Sequence, residues 1–555
     1  MNAKAPLLYL LAVACFSNAS LAADPELRGT WITTTGLTTG NISSNLTTAT
    51  TYARLRAIGL NTTYTDLWRD GYTQFASPTM QSLIGVSKHP SLGSRDIARE
   101  TTMQAHRNGM LNLGWFQYGF ATQYQPPASG NPLTSYMATR GWLLKDSAGA
   151  YWNSSSNFAW MNPLVPEVRT LLTNIVLDAV KQYDLDGVQF DDRLAWPIQF
   201  GFDDYTKNVY KTETGRDLPA SYTDSNFKSW RAGKITAFAQ QFIADIKSKN
   251  PALIVSVAPS VYPFSYDSYC VDWPTWRANG MFDELIPQVY RSTAANFDAS
   301  WDGTGSITTG GQVQFFGNRR GDFAAGISIN NSAGAPYPWS ELQPMADQVR
   351  STTDVAGHVW WYSAGVLSYE SQLTSYYNVA ANGQADRTDT PTGWRPAPTI
   401  ATQQNTTTWN ANISAKGRFW IVYKNASGWF ELANTVLFPG TSTFTVSGAT
   451  NVEVLVDRRF VDGDANLDLV VDSLDFSLLQ ANFGRLSSGT WAMGDFTGDA
   501  RVTTEDFNIL AANFGGKPSM TLPGSMLGAN VPEPTCSVGS LFALAILSCR
   551  RRSMN

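Results

Sequence analysis

Eight short apolar runs, each followed by enough chain for a helix, set what residues 27 to about 380 can become. They are Gly29–Thr33, Asn61–Trp68, Met110–Gln117, Gly187–Asp191, Ile254–Ala258, Glu284–Tyr290, Ala324–Ile329 and His358–Tyr362. Strands joined by long crossovers pair in parallel. The crossover before the fourth run is helical by pattern. Val168, Leu171, Leu172, Ile175, Val176, Ala179 and Val180 share one face, with Asn162-Pro163 and Pro166 as start signals. A second helix runs through Trp230, Ile235, Phe238, Phe242 and Ile246. Eight β/α units predict an α/β fold, a (β/α)8 TIM-type barrel with enlarged loops, whose chemistry belongs where strands end.

The fourth run ends in Asp191, Asp192 and Arg193. With only His89, His106 and His358 in the chain, a His-rich metal site or a Ser-His-Asp triad is disfavoured, and no glycine-rich phosphate loop follows a strand. A net charge of −5 argues against a nucleic-acid partner. Carboxyl groups remain as acid–base candidates, which suits glycoside hydrolysis by paired carboxyls. Adjacent carboxylates raise one another's pKa, and strand alternation lets one of the two aim fully into the mouth. Asp192 is taken as the acid/base or nucleophile, with Asp191 beside it; a salt-bridged strand end is the bland alternative. Gln117, Gln288, Tyr290 and Arg193 are placed to position a sugar. Trp68, Trp115 and Trp196 are the stacking candidates among 19 tryptophans. The partner carboxylate stays open, with Asp66, Asp70 and Asp267 near strand ends.

The stretches Arg28-Gly29-Thr30-Trp31, Asn61-Thr62 through Trp68, Gly71-Tyr72, Gly114-Trp115-Phe116-Gln117-Tyr118-Gly119-Phe120, Asp186-Gly187-Val188-Gln189-Phe190-Asp191-Asp192, Ser256-Val257-Ala258-Pro259 and Asp283 to Tyr290 resemble, in order, the glycosyl-hydrolase-like family 10 barrels. The resemblance implies a glycosidase acting on a polysaccharide or cell-wall glycan, with no cofactor for catalysis. Two positions depart from it. Gln117 stands where many relatives carry Glu, and the eighth run continues as Trp360-Trp361-Tyr362-Ser363-Ala364-Gly365, where some relatives end on Glu. A barrel that binds glycan without cutting it is therefore the competing reading, and a structural surface protein whose only ligand is calcium is a third.

Around the barrel, assigned to residues 24–380, the chain is modular. Residues 1–23 read as a secretory signal peptide: Lys4, an apolar run from Leu7 to Phe16, then Ala19-Ser20-Leu21-Ala22. A Pro-, Thr- and Gly-rich linker, 381–398, leads to short alternating runs over 399–460. These predict a small β-sandwich, fibronectin type III-like, with Trp409, Trp420 and Trp429 as core. In 461–516 the set Asp464, Asn466, Asp468, Val470, Asp472 and Asp475 recurs as Asp495, Thr497, Asp499, Arg501, Thr503 and Asp506. Oxygen donors at places 1, 3, 5, 9 and 12, with the carbonyl at 7, suit Ca2+. The pair resembles a type I dockerin, which implies a small α-helical calcium-loop module and a cohesin-like partner. Leu469 and Ala500 stand at the sixth place, where Gly is usual. After a second linker, 517–530, residues 531–555 carry Val531-Pro532-Glu533-Pro534, an apolar run and Arg550-Arg551-Arg552, and resemble a PEP-CTERM tail read by sorting machinery. Together the two ends imply export to the surface of a Gram-negative-type bacterium. Outside the leader and tail only Cys270 remains, so the mature chain has no internal disulfide.

Overall fold

The computed structural model describes residues 25–34, 40–126, 130–303, 311–317, 320–331, 334–387, 390 and 394–519. The expected signal peptide and sorting tail lie outside the described residues. Strands β1 (Leu27–Ile32), β2 (Thr62–Asp66), β3 (Leu111–Phe116), β4 (Gly187–Asp191), β5 (Ile254–Ala258), β6 (Glu284–Leu285), β7 (Ala324–Ser328) and β8 (Gly357–Trp361) form one sheet in the order β6-β5-β4-β3-β2-β1-β8-β7. Every neighbouring pair is parallel. Single bridges, Leu285 to Phe323 and Gln288 to Gly326, join β6 to β7 and close the barrel. The sixth run is expected to be a strand as far as Tyr290, but its regular ladder stops at Leu285. Pro287 interrupts it, having no N–H to give; its carbonyl still accepts from Gly326 at 2.9 Å.

Residues on one side of each strand face the lumen, and those on the other meet the helices. Phe190 of β4 lies outward against Phe116 and Phe242. Gln189 faces inward, where its Oε1 accepts the Trp31 indole N–H at 2.7 Å and its Nε2 donates to Ser256 Oγ at 2.9 Å. Ser256 donates to Glu284 Oε1 (2.6 Å), which also accepts from Tyr64 (2.9 Å), and Arg387 closes the column at the strands' N-terminal end, 2.6 Å from Glu284 Oε2.

After the barrel, β9 (Thr399–Ile400), β10 (Thr402–Gln403), β11 (Thr408–Ile413), β12 (Gly417–Asn425), β13 (Gly428–Leu437), β14 (Gly440–Thr445) and β15 (Asn451–Asp457) form two antiparallel sheets, β9-β15-β12-β13 and β10-β11-β14. They share a core of Trp409, Ile413, Phe419, Ile421, Val452 and Val454. This unit is bonded to the barrel. The Arg107 guanidinium lies 3.2 Å from the centre of the Trp429 ring and 2.8 Å from Glu453. Arg395 reaches Asp184 at 2.6 Å and Asp186 at 2.7 Å just before β4, and His106 sits 3.0 Å from Asp186. Burial alone would push Asp186 up, yet Arg395 and His106 hold it well below the usual carboxylate range. Residues 461–519 add a second small core, Val461, Val471, Leu479, Trp491, Phe496, Val502 and Leu510, against Val436.

Removing one partner from such a network strands the other charge inside. Arg395→Ala is expected to lower the unfolding free energy of the full chain by about 3–5 kcal/mol in a denaturant titration; a loss below about 1 kcal/mol would contradict a network that carries the junction.

Candidate active site

The lumen changes character toward the C-terminal ends of the strands. Four buried polar atoms there have no hydrogen-bond partner among the described residues: Asp66 Oδ1, Trp115 Nε1, Gln117 Oε1 and Asn330 Oδ1. Asp66 follows Thr62 and Tyr64 on the inward side of β2, and its other oxygen accepts from Thr34 Oγ1 at 3.0 Å. Burial pushes its carboxyl up to about 7, although Arg69, 3.9 Å away, pulls the other way. Asp191 follows Gln189 inward on β4 and is 3% exposed. Burial, and then the charge of Asp192, push it well above the usual carboxylate range, against Arg193. Arg193 donates from one nitrogen to both carboxylates at 3.1 Å, and its backbone N–H reaches Asp191 Oδ1 at 3.0 Å.

The chain around this cluster is tightly set. Gly119, with φ +47°, lies so near the Arg193 carbonyl that a Cβ would come within 2.2 Å, and Phe120 N donates to that same oxygen at 3.0 Å. The β3 and β4 ends are thereby locked edge to edge. An aromatic floor lies below: Trp361 meets Trp31 (5.8 Å) and Trp115 (5.6 Å) edge-on and stacks on Tyr290 (5.9 Å, 28°).

Not every expected site residue belongs here. Trp196 is fully buried, bonded to the Phe200 carbonyl at 3.0 Å and packed on Trp230, so it cannot stack on a sugar. Trp68 is fully buried too, its indole N–H spent on the Gly119 carbonyl at 3.1 Å. Both are structural tryptophans, and Trp115, 1% exposed, is buried like them and has no ring face free for a sugar. Asp191 continues the inward register, while Asp192 begins the turn after β4 and is about a quarter exposed (26%). Gln288 lies at the mouth with its amide on the Ala258 carbonyl at 2.8 Å. Asp70 is tied to Arg69 and the Tyr124 N–H, and Asp267 is exposed on Lys228, which leaves Asp66 as the second inward carboxyl among the three considered. Trp361 escaped the sequence reading, which searched β8 for a carboxylate; an aromatic at the inward register of a strand end was the available signal.

A family model described as Glycosyl hydrolase-like 10 matches residues 26–312, just over half the chain. The chain belongs to the Glycosyl hydrolase-like 10 family. "Glycosyl hydrolase DigH" of Escherichia coli (strain K12) is 24% identical over 322 residues, covering 50% of this chain and 69% of that protein. "Glycosyl hydrolase YngK" of Bacillus subtilis (strain 168) is 23% identical over 223 residues, covering 37% and 40%. Among solved structures, the PgaB (BpsB) glycoside hydrolase domain from Bordetella bronchiseptica aligns with a TM-score of 0.48 at 11% identity, over 65% of this chain and 99% of that one.

Beyond the Glycosyl hydrolase-like 10 barrel, the two repeated loops each start a helix, Ser473–Asn482 and Thr504–Ala512. Their ninth and twelfth residues close capping boxes, Asp472 with Asp475 and Thr503 with Asp506. The first residue of each loop accepts from the backbone: Asp464 from Asp468 and Leu469, Asp495 from Gly498 and Ala500. Leu469 (φ 81°) and Ala500 (φ 65°) take the left-handed conformation that glycine would adopt without strain. Burial and the charges of Asp475 and Asp468 push Asp464 up to about 7. Among the described residues no three His, Cys, Asp or Glu side chains are gathered as a ligand set. The Asp464 and Asp495 carboxylates are turned onto the amides of their own loops.

The charge on Asp66 has a stability consequence. Its folded value lies above the roughly 3.9 of an unfolded Asp, so the fold favours the protonated form. The penalty is absent below about pH 4, grows as pH rises toward about 7 and is level beyond. Asp66→Asn is expected to match wild type at pH 4 and to exceed its stability at pH 8 by about 2–4 kcal/mol. A stability difference that does not change with pH would refute the assignment.

Proposed function

We propose that this protein hydrolyses O-glycosidic bonds in a polysaccharide or cell-wall glycan, with Asp191 as proton donor and Asp66 as the partner carboxylate. The observation that carries this is a pair of buried, inward-facing carboxyls at the ends of β2 and β4, each held above the usual carboxylate range. Burial and the charge of Asp192 raise Asp191, against Arg193, which supports the role of passing a proton to a leaving oxygen. Asp66 ionises near neutrality, with one oxygen free to meet a sugar carbon or a water. The Trp115 N–H and the Gln117 carbonyl oxygen supply an unpaired donor and an unpaired acceptor for sugar hydroxyls, and the Trp361 ring of the floor gives an apolar face. Family membership supports the same reading. Gln117, in place of the Glu of many relatives, favours a second one, a barrel that holds glycan without cutting it.

Release of reducing ends from polysaccharides and cell-wall glycans decides between them. Asp191→Asn and Asp66→Asn should each lower the rate by about 10²–10⁴-fold while binding persists. The wild-type kcat/KM should rise through about pH 7 as Asp66 loses its proton. Full activity in Asp191→Asn would overturn the assignment; binding without any release would establish the second reading.

The repeat module is proposed to bind Ca2+, first at Asp464, Asn466, Asp468, the Val470 carbonyl, Asp472 and Asp475, with the second loop weaker. Donor order and loop backbone support this. Its exposed Phe476, Phe483, Phe507 and Phe514 stand at matching places of the two repeats, which supports a face for a cohesin-like partner. Export and surface sorting complete the proposal and rest on the leader and tail sequences. Calcium added to the chelator-treated full chain should raise its melting temperature, and Asp464→Ala should remove most of the rise. An unchanged melting temperature in the wild type would rule the calcium site out.

A further inference from the structure

The barrel domain exposes few large aromatic side chains. Among the described residues they are Tyr124 at 49%, Tyr222 at 42% and Phe264 at 51%. Two of these three are the ends of one connected row. Tyr124 lies in the strand Ala121–Tyr124 that follows β3, and meets Phe158 edge-on at 5.2 Å. Phe158 meets Trp160 at 5.9 Å, Trp160 meets Tyr269 at 6.5 Å, and Tyr269 meets Phe264 at 5.7 Å. Tyr269 and Phe264 belong to the short helix Phe264–Tyr269 that follows β5. The row therefore runs from the connection after β3, which holds Tyr124, Phe158 and the buried Trp160, to the loop after β5.

Its middle touches the carboxylate cluster. Arg193 lies over the Phe158 ring at 4.8 Å, and Tyr269 is near enough to Asp192 for that charge to push its hydroxyl up, after burial. The row is thus continuous with the candidate active site and extends to exposed rings on both sides of it. Single exposed aromatics are ordinary on a protein surface; what sets these two apart is that both end one row of ring contacts that touches the carboxylate cluster. A sugar chain suits such faces: its C–H surface covers the ring while its hydroxyls stay wet.

We propose that Tyr124 and Phe264 are outlying sugar subsites on either side of the Asp191–Asp192–Arg193 cluster, so that the protein grips the interior of a long glycan instead of its end. This rests on the proposed glycan-cleaving function and adds the length of chain that is held.

Affinity electrophoresis of the full chain in native gels containing laminarin, xylan, galactomannan or hydroxyethyl-chitin tests it, together with the size of the products released from the same polymers. Wild type should be retarded by at least one polymer and release long fragments early. Tyr124→Ala and Phe264→Ala, at exposed positions, should keep the wild-type melting temperature. Each should weaken retardation about three- to tenfold, as expected for losing one aromatic contact, and the double variant more. Tyr124→Trp, which keeps an aromatic face, should restore binding. Asp191→Asn should be retarded like wild type. If the double variant is retarded as strongly as wild type while Asp191→Asn abolishes cleavage, the subsites are wrong and the hydrolase reading survives. If wild type is neither retarded by these polymers nor active on them, the hydrolase reading fails and the subsites fail with it.

Discussion

Glu284 accepts hydrogen bonds from Tyr64, Ser256 and Arg387 at the foot of the barrel, and the lumen above is stacked on those contacts. A carboxylate buried there without a cation would be prohibitive; with Arg387 it becomes an anchor. Ser256 turns its hydroxyl to Glu284, which leaves its oxygen for Gln189, whose carbonyl is then free for the Trp31 indole. Trp31 in turn props Trp361 and sits against Trp115. The cation comes from beyond β8, so the chain after the barrel completes its lowest layer. The junction with the second domain uses the same logic at Asp184 and Asp186, where Arg395 is the buried cation.

That satisfied foot gives the mouth its meaning. Buried polar groups in a folded protein are almost all paired. Here the pairing is complete for Gln189, Ser256 and Glu284, then lapses at Asp66, Trp115, Gln117 and Asn330 within one barrel. This loss of satisfaction along a single lumen is the observation behind placing the proposed glycan site at the mouth. It also costs stability, because Asp66 and Asp191 are held in surroundings that resist their ionised forms. Sites that depart from the stability optimum in this way are where function is placed.

The barrel was legible because its strands are short apolar runs at crossover spacing, a pattern that needs no knowledge of packing. Of the overdrawn runs β6 was the longest in excess, since a proline inside an apolar run weakens pairing without changing the run's hydrophobicity. The acidic end of β4 was also legible, but its register was not. Which of two adjacent carboxyls faces inward depends on Gln189, and Gln189 is recognised as inward only through its bonds to Trp31 and Ser256. Trp68 and Trp196 were misjudged because a tryptophan near a strand end looks the same in sequence whether its indole N–H is spent on backbone or aimed at solvent. Asp66 had no distinguishing neighbour in the chain. What sets it apart is burial beside Thr34, 32 residues away, with one oxygen left over.

The attachments respect this polarity. Ahead of the N-terminal end of β4, the Lys181 carbonyl accepts from Arg459, Asp184 from Arg395 and the Arg458 N–H, and Asp186 from Arg395, while the helix Ile97–Arg107 receives Glu431 and Glu453. These contacts lie at the foot and along the outer helices, where a parallel barrel carries stability and not chemistry. The loops after β3, β4 and β5, which hold Tyr124, Arg193 and Phe264, are left clear of them. A long polymer lying across the mouth would therefore meet the carboxyl cluster and both exposed rings without disturbing the junction.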